Sequence, residues 1–499
     1  FSGKTMMSMY TNEKWYKVYK EDEWKSDNRN PKDYGIDFDF SKTFFEQFKN
    51  LFNNVPVLAL DTTAWENSEY TNQCGYVKDS YLSFEVWYCE KCYYSNYMRN
   101  STNCMDMLNC NNDQECYECV ECFNSYKLKY SNKCDNCSNS YLLFNCKWCK
   151  DCFWCIWLEN KEYCFFNQQL SIDEYHQKIS EINFWKYWSI NDFIKKFEIL
   201  KKSIPIKNSN ILSWENCIWN TIENSNNVFC SFDIREAENI RYCYWIYLAK
   251  NCFDHTWWGN NAEKILECWA IWNNVYNIIF SWQITESSDL IYCFNCRHGI
   301  KNCFGCIWLH SNDQYCILNK QYTKEEYEKL VPQIIEHMKS NWERWEFFPS
   351  GISPFGYNET VANEYFPLDR ETALAKWFKR QDKEYPINVP DWIELIKAQD
   401  LANDIKDIDD EILKKAVVCE VSWKPFRIVK PELEFYRKHN LPLPHKHPDV
   451  RHLERLSKRA PRKLYLRTCD NCSKQVISVY PQDSEFKIYC EECYKKTNY

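Results

Sequence analysis

Cys469-x2-Cys472, seventeen intervening residues and Cys490-x2-Cys493 form the pattern with the most specific chemistry in this 499-residue chain. Four thiolates at that spacing close a tetrahedral shell around zinc at about 2.3 Å and leave no coordination position for water. The expected site is therefore structural, with zinc as its cofactor, and the strand-like runs QVISVY and FKIYC between the knuckles complete a zinc ribbon. The remaining cysteines obey another rule. Of the 30 in the chain, fourteen lie between residues 68 and 158, and all fall on one phase of a three-residue repeat. Ser, Thr, Val, Met and Leu continue that phase wherever Cys is missing, and Asp113 is the exception. A metal cluster gives no reason for such substitutes, whereas a buried column of small side chains does. The expectation is thiol ladders, ahead of zinc clusters and, more weakly, of disulfides.

One inward stripe of this kind cannot form a core alone, but stacked coils about 4.8 Å apart place like side chains in ladders. Cys119-Cys122-Ser125-Leu128 recurs fifteen residues on as Cys134-Cys137-Ser140-Leu143 and again as Cys149-Cys152-Cys155-Leu158, which points to fifteen-residue coils. Asn96, Asn124 and Asn136 suit the corners, because Asn tolerates left-handed dihedrals. The fold class expected is mainly β, a cysteine-rich β-solenoid in two segments with helical insertions and small zinc-ribbon-like modules at both ends. Residues 1–25 read as a zinc-ribbon-like module, in which 3–24 align without gaps on 473–494 of the final ribbon at an offset of 470, with Ser2, Lys20 and Glu23 where Cys472, Cys490 and Cys493 stand. This module is degenerate, and a truncated start is expected. Residues 26–66 read as a loop and a helix capping the first coil, 67–159 as the first solenoid segment, and 160–209 as helical. The second segment spans 210–312 and less regular triplets fill it. A helical and linker region follows at 313–416, then a degenerate basic module at 417–465 and the ribbon at 466–499. Ser171/Glu174 and Thr323/Glu326 are capping boxes, and IKAQDLANDIKDIDDEILKKAVV reads as an acidic helix.

Two counts are abnormal: 8 Gly and 23 Trp. Several Trp stand where the backbone asks for Gly. Trp154 aligns with Gly305, Trp377 follows ETALAK at a helix C-cap, and Trp423 occupies the glycine place of a knuckle. The expectation is that many of these Trp codons are read as Gly in the source organism.

Residues 424–467 carry 13 Lys and Arg against 4 Asp and Glu, while the whole chain has a net charge of -8. Arg427, Arg437, Lys438, Arg451, Arg455, Lys458, Arg459, Arg462, Lys463 and Arg467 are candidate nucleic-acid contacts, balanced by a reading as a solvated face against the acidic segment. The stretch VCEVSWKPFRIVKPELEFYRKHNLPLPHKHPDVRHLERL resembles treble-clef-like zinc domains, with Cys419 at the first ligand position and Ser422, His447 and Val450 at the others. Through PFGYNETVANEYFPL, FYRKHNLPLP and the final ribbon, the whole chain resembles an uncharacterised family of large multi-CxxC zinc-ribbon proteins of ultra-small bacteria. That resemblance implies no activity. No GxGxxG, P-loop, HExxH or GxSxG is present, and His255, Asp113 and the Cys303/Cys306 pair read as structural groups. The function expected is a non-enzymatic, cytoplasmic zinc-binding scaffold that binds RNA, the ribosome or protein, with no membrane partner and no small-molecule substrate. The alternatives are a β-helix enzyme acting on carbohydrate chains and a metal-storage or redox-buffering protein.

Overall fold

A triplet repeat can close on itself only if one residue in three turns the chain, and here one does. Glu115, Glu118, Glu121, Asn124, Lys127 and Tyr130 all have φ between 53° and 56°. Each corner residue is followed by the inward residue of the next triplet, and then by a residue that bridges to the neighbouring turn of chain, as Tyr117 does to Met105 and to Lys129. The computed structural model describes every residue except 1–4, 15, 25, 27–29, 183–184, 210, 213–217, 258, 310–311, 345, 384–386 and 499. Strands outweigh helices, so the chain is mainly β.

The register corrects the coil length. In the first arm, residues 62–165, every parallel pair joins positions twelve apart: Thr62 with Cys74, Gly75 with Trp87, Met98 with Cys110, and Tyr141 with Phe153. Four triplets therefore make one turn. The fifteen-residue recurrence is one turn plus one triplet, so each cysteine group lands one face further round on the next turn. The second arm, residues 211–317, starts eleven apart, with Ile211 opposite Ile222, passes to twelve, with Ile222 opposite Ile234, and then admits an extra residue at several turns, with Ala249 opposite Ala262 and Phe304 opposite Ile317. Asn124 and Asn136 do occupy corners, but Asn96 lies in the strand Asn96–Arg99 and its neighbour Tyr97 turns the chain.

Hydrogen bonding explains the composition of the inward stripe. At Asn111 and Asn112, for example, the amides donate to backbone carbonyls of adjacent turns, Cys122 and Arg99. The amide of an inward residue points into the interior instead, where a buried donor must find a partner. The side chain one turn earlier accepts it: Cys92 N–H donates to Ser80 Oγ at 3.2 Å, Cys152 N–H to Ser140 Oγ at 2.9 Å, and Leu128 N–H to Cys116 Sγ at 3.4 Å. The hydroxyl or thiol donates onward to the carbonyl two residues before it, as Ser80 does to Lys78 at 3.0 Å and Cys119 to Tyr117 at 3.4 Å. Ser and Cys share the stripe because both accept and donate within one small volume. Asp113 takes the same role, accepting from Ser125 N–H at 2.8 Å, and burial pushes its carboxyl well above the ordinary range.

The chain is internally duplicated. Strand Val18–Tyr19 and helix Glu21–Trp24 match Ile488–Tyr489 and Glu491–Asn498 at the offset of 470, and each strand pairs in parallel with the strand preceding an arm, Val57–Leu58 or Ile206–Lys207. Both arms end in a short hairpin followed by a helix with a complete capping box, at Ser171/Glu174 and at Thr323/Glu326. The helices leading into the arms are exchanged. Phe44–Asn54 packs on the end of the second arm, with Phe44 5.3 Å from Phe304, rather than capping the first coil. Tyr187–Ser203 packs on the first arm, with Phe193 5.7 Å from Phe153. The acidic stretch is not one helix. Asp404 and Asp409 cap short 3-10 turns, Ile405–Asp407 and Asp410–Lys414, between strands Glu394–Lys397 and Lys415–Val418.

Nine described tryptophans have positive φ: 148, 154, 157, 245, 257, 308, 342, 377 and 423. Trp342 and Trp377 are the left-handed residues of two Schellman ends, closed by Glu343 N–H to Met338 and by Phe378 N–H to Ala373. They are 91% and 89% exposed, so no packing offsets the strain. Trp342→Gly and Trp377→Gly are each expected to stabilise the protein by about 1 kcal/mol, read in urea unfolding, and peptide 150–161 from the source organism should carry the mass of Gly at 154. A tryptophan mass there ends the codon reading. For Asp113 the folded state binds the proton that the unfolded state releases, so its contribution is full below the unfolded pKa of about 4 and is lost as pH rises through the folded value. Asp113→Asn is expected to remove that loss, so that the melting-temperature difference between variant and parent grows from pH 4 to pH 7; a constant difference contradicts the assignment.

Candidate metal centre and the cleft between the arms

The ribbon is built by a short antiparallel pair, Tyr465–Thr468 with Gln475–Ser478, and by Ile488–Tyr489 docked on Ile206–Lys207. Its first knuckle turns at Ser473, φ 60°, with Cys469 N–H donating to Lys474 O at 2.8 Å and Ser473 N–H to Cys469 O at 2.9 Å. The second knuckle runs into the terminal helix. The four expected ligands come together: the sulfurs of Cys469, Cys472, Cys490 and Cys493 lie within 4.8 Å of one another, and Cys472 and Cys490 are 3.7 Å apart. Sulfurs about 2.3 Å from a tetrahedral centre are separated by about 3.8 Å. The donor set thus fits a metal ion. Burial raises the Cys469 thiol, but the amides of Cys490, Cys472 and Asn471 outweigh it and bring the group down to about 6. Cys490 N–H reaches Cys469 Sγ at 3.2 Å.

The same knuckle recurs at Cys419. Its N–H donates to Lys424 O at 3.1 Å, Trp423 N–H donates to Cys419 O at 3.2 Å, and Trp423 holds φ 60°. Burial opposes the thiolate there, while the Ser422 hydroxyl and the amides of Ser422, His447 and Val421 favour it and lower the thiol overall. The remaining ligands are gone. His447 Nδ1 accepts from Asp449 N–H at 3.2 Å and caps helix Pro448–Ser457, and Val450 packs in an apolar cluster. In the N-terminal copy Ser2 lies outside the described residues, and Lys20 N–H donates to Glu23 Oε2 at 3.1 Å where two cysteines stand in the ribbon. Among the described residues the ribbon quartet is the group found able to hold a metal.

The basic segment buries Arg451, Arg455 and Arg467 and leaves Arg427, Arg437, Lys438 and Lys463 exposed. Arg451 and Arg455 are 4% and 1% exposed, and both bind the fully buried Asp106, Arg455 at 2.7 Å. Arg455 also reaches Glu118 and the Tyr94 carbonyl, so this helix reads the corner column 94, 106, 118 of the first arm. Lys438 pairs with Glu115 at 2.7 Å and Lys458 lies 3.8 Å from Glu118. Arg459 bridges the arms, with Glu121 of the first at 3.1 Å and Asp233 of the second at 3.2 Å. Arg462 is sandwiched 3.5 Å and 3.4 Å from the rings of Tyr244 and Tyr365. Arg427 donates to Leu413 O, Arg437 pairs with Asp410, Lys463 lies over Tyr465, and the buried Arg467 pairs with Asp470. All ten candidate nucleic-acid contacts therefore have partners within the chain, and the acids that hold the innermost of them sit at corner positions of a repeat whose length the sequence hid.

Beneath Arg459 and Arg462 the arms enclose a cavity of about 1460 Å³, lined from turn after turn of both arms. Across it Arg297 pairs with Asp61 at 2.8 Å, Trp87 meets Trp272 at 6.2 Å, and Tyr97 meets Trp257 at 5.0 Å. Asp61 and Glu85 both line it, and burial followed by the charge of Asp61 pushes the Glu85 carboxyl well up. The residues read as structural are so placed: His255 is fully buried with Nδ1 3.0 Å from Cys268 O, and Cys303 and Cys306 donate to Lys301 and Phe304 carbonyls. No family model matches the sequence and no curated protein matches it. No described helix is long and apolar enough to cross a membrane.

Metal analysis of the reduced, purified protein is expected to give about one zinc per chain. Cys490→Ser should abolish it and Cys419→Ser should leave it unchanged. Several ions per chain would place metal in the ladders.

Proposed function

We propose that this protein is a non-enzymatic, zinc-stabilised scaffold in which two solenoid arms, held in a fixed relation, bind a macromolecule between them. The observation that carries the reading is the clamp: Arg459 joins Glu121 to Asp233, and the ribbon that follows it docks on the strand linking the two arms. Zinc in the ribbon would supply folding energy at that joint rather than chemistry, since four thiolates leave no open position. The buried free thiols suit a reducing compartment, consistent with a cytoplasmic protein. Storage of metal is disfavoured because the ladder thiols already donate to carbonyls. The macromolecule classes open to the scaffold are RNA, the ribosome, protein and polysaccharide, with contact assigned to the arms because the innermost cations of the basic segment are engaged internally.

A second reading, an enzyme acting on carbohydrate chains, is favoured by one observation, the pairing of Asp61 and Glu85 in the same cleft with unlike surroundings. The two separate in one experiment. The intact chain and Arg459→Ala are compared in small-angle scattering and in retention of single-stranded RNA, ribosomal particles, denatured protein and soluble polysaccharide. The scaffold reading expects one probe class retained unaltered, and a larger radius of gyration with at least tenfold weaker retention in the variant. Retention of none, or cleavage of a probe, overturns it.

A further inference from the structure

We propose that the cleft between the arms is a binding site for an extended, uncharged polysaccharide chain. The inference rests on the scaffold reading and names the class of its ligand. Charge is the first argument. The lining carries ten carboxylates against nine Lys and Arg, and the inner cations are tied to carboxylates, as Arg297 is to Asp61 and Arg459 to Glu121 and Asp233. A polyanion needs a surplus of positive groups along its track, and this surface offers none.

Shape and chemistry supply the second argument. Corner residues of successive turns stack at the spacing of parallel strands, about 4.8 Å, so the walls present closely spaced columns of polar and aromatic side chains along an extended track. Tyr76 and Tyr88, one turn apart, stack at 4.7 Å with 4° between ring planes and are each 52% exposed, which leaves half of each ring open at the cleft. Such faces accept the apolar C–H side of a sugar ring, while amides and carboxylates take its hydroxyls. This platform does not depend on any tryptophan at a left-handed position. Asn109, Asn111 and Asn124 line the same wall.

The third argument is unsatisfied bonding capacity. Asn111, Asn295 and Arg297 line the cleft, and just behind its surface Asn111 Oδ1, Asn295 Oδ1 and Arg297 Nε are buried without a hydrogen-bond partner. Asn295 is only 2% exposed, and its amide nitrogen is fixed by Gln283 Oε1 at 3.0 Å, which directs its free oxygen. Two acceptors and one guanidinium donor in a neutral, aromatic cleft match hydroxyl groups, which donate and accept.

The test is affinity electrophoresis of the full zinc-loaded chain in native gels containing hydroxyethyl cellulose, glycol chitin or soluble β-glucan, with calorimetric titration of cellohexaose and chitohexaose. Retardation by at least one of these polymers is expected. The Tyr76→Ala/Tyr88→Ala double variant, altered at exposed positions that the fold does not need, should bind at least tenfold more weakly, and Tyr242→Ala, exposed outside the cleft, should bind as the parent does. Absence of retardation by all three polymers, or equal binding by the double variant, overturns the proposal. If single-stranded RNA or denatured protein is retained and polysaccharide is not, the ligand class falls while the scaffold stands. Release of reducing ends from a bound polymer has the opposite effect, keeping the ligand class and ending the non-enzymatic reading.

Discussion

One backbone amide in three points into the dry interior of each arm, and the rest of the structure answers to that. Two amides of each triplet reach carbonyls on adjacent turns, but the inward one has no carbonyl to meet. Where the side chain one turn earlier is serine, and at some of the cysteines, its hydroxyl or thiol accepts that amide and passes its own proton to a nearby carbonyl. Leaving such a donor unsatisfied costs about 1–3 kcal/mol, and the demand returns at every triplet. In the first arm the serines and several cysteines of the stripe meet that demand at small volume, whereas the second arm's stripe is largely Ile, Val and Ala. Burial raises thiols such as Cys74 and Cys252 above the ordinary range.

Such an arm is stiff along its length and has two weak places, its ends and its outer surface. The exchanged helices cover the ends: Phe44–Asn54 and Tyr187–Ser203 each lead into one arm and pack on the other. The outer surface is organised by corner columns, where side chains one turn apart lie in register. Asp106 and Glu118 form one such column, and helix Pro448–Ser457 inserts Arg451 and Arg455 against it. A buried ion pair of this kind is weak in net energy but strongly penalised when one partner is removed, so its value lies in fixing the position of the helix. Arg459 then extends the same segment across to Asp233, and the arms become the two walls of one cleft.

The metal centre shows how one backbone motif outlives its ligand set. At Cys419 the knuckle keeps its hydrogen bonds and its left-handed residue although three ligand positions hold Ser422, His447 and Val450. At Lys20 and Glu23 an amide-to-carboxylate bond replaces the thiolate contacts. In each case local backbone bonding, together with docking on a neighbouring strand or helix, holds the loop. In the ribbon the four sulfurs themselves form the small buried cluster, with Val476 and Tyr489 packed against it.

The ribbon quartet, the inward stripe, the duplicated capping boxes and the offset of 470 between the terminal modules were all legible in the chain, because each depends on residues close in sequence or on a repeat of local geometry. The number of triplets per turn was not. Any multiple of three preserves the stripe, so fifteen and twelve are equally compatible with the pattern, and only the closure of hydrogen bonds between turns selects twelve. With the turn length went everything that depends on which residues lie above one another: the column Asp106 and Glu118, the stacked Tyr76 and Tyr88, the inward use of the basic segment, and the cleft. Local spacing determined what each triplet is; the contact between distant turns decided what they build together.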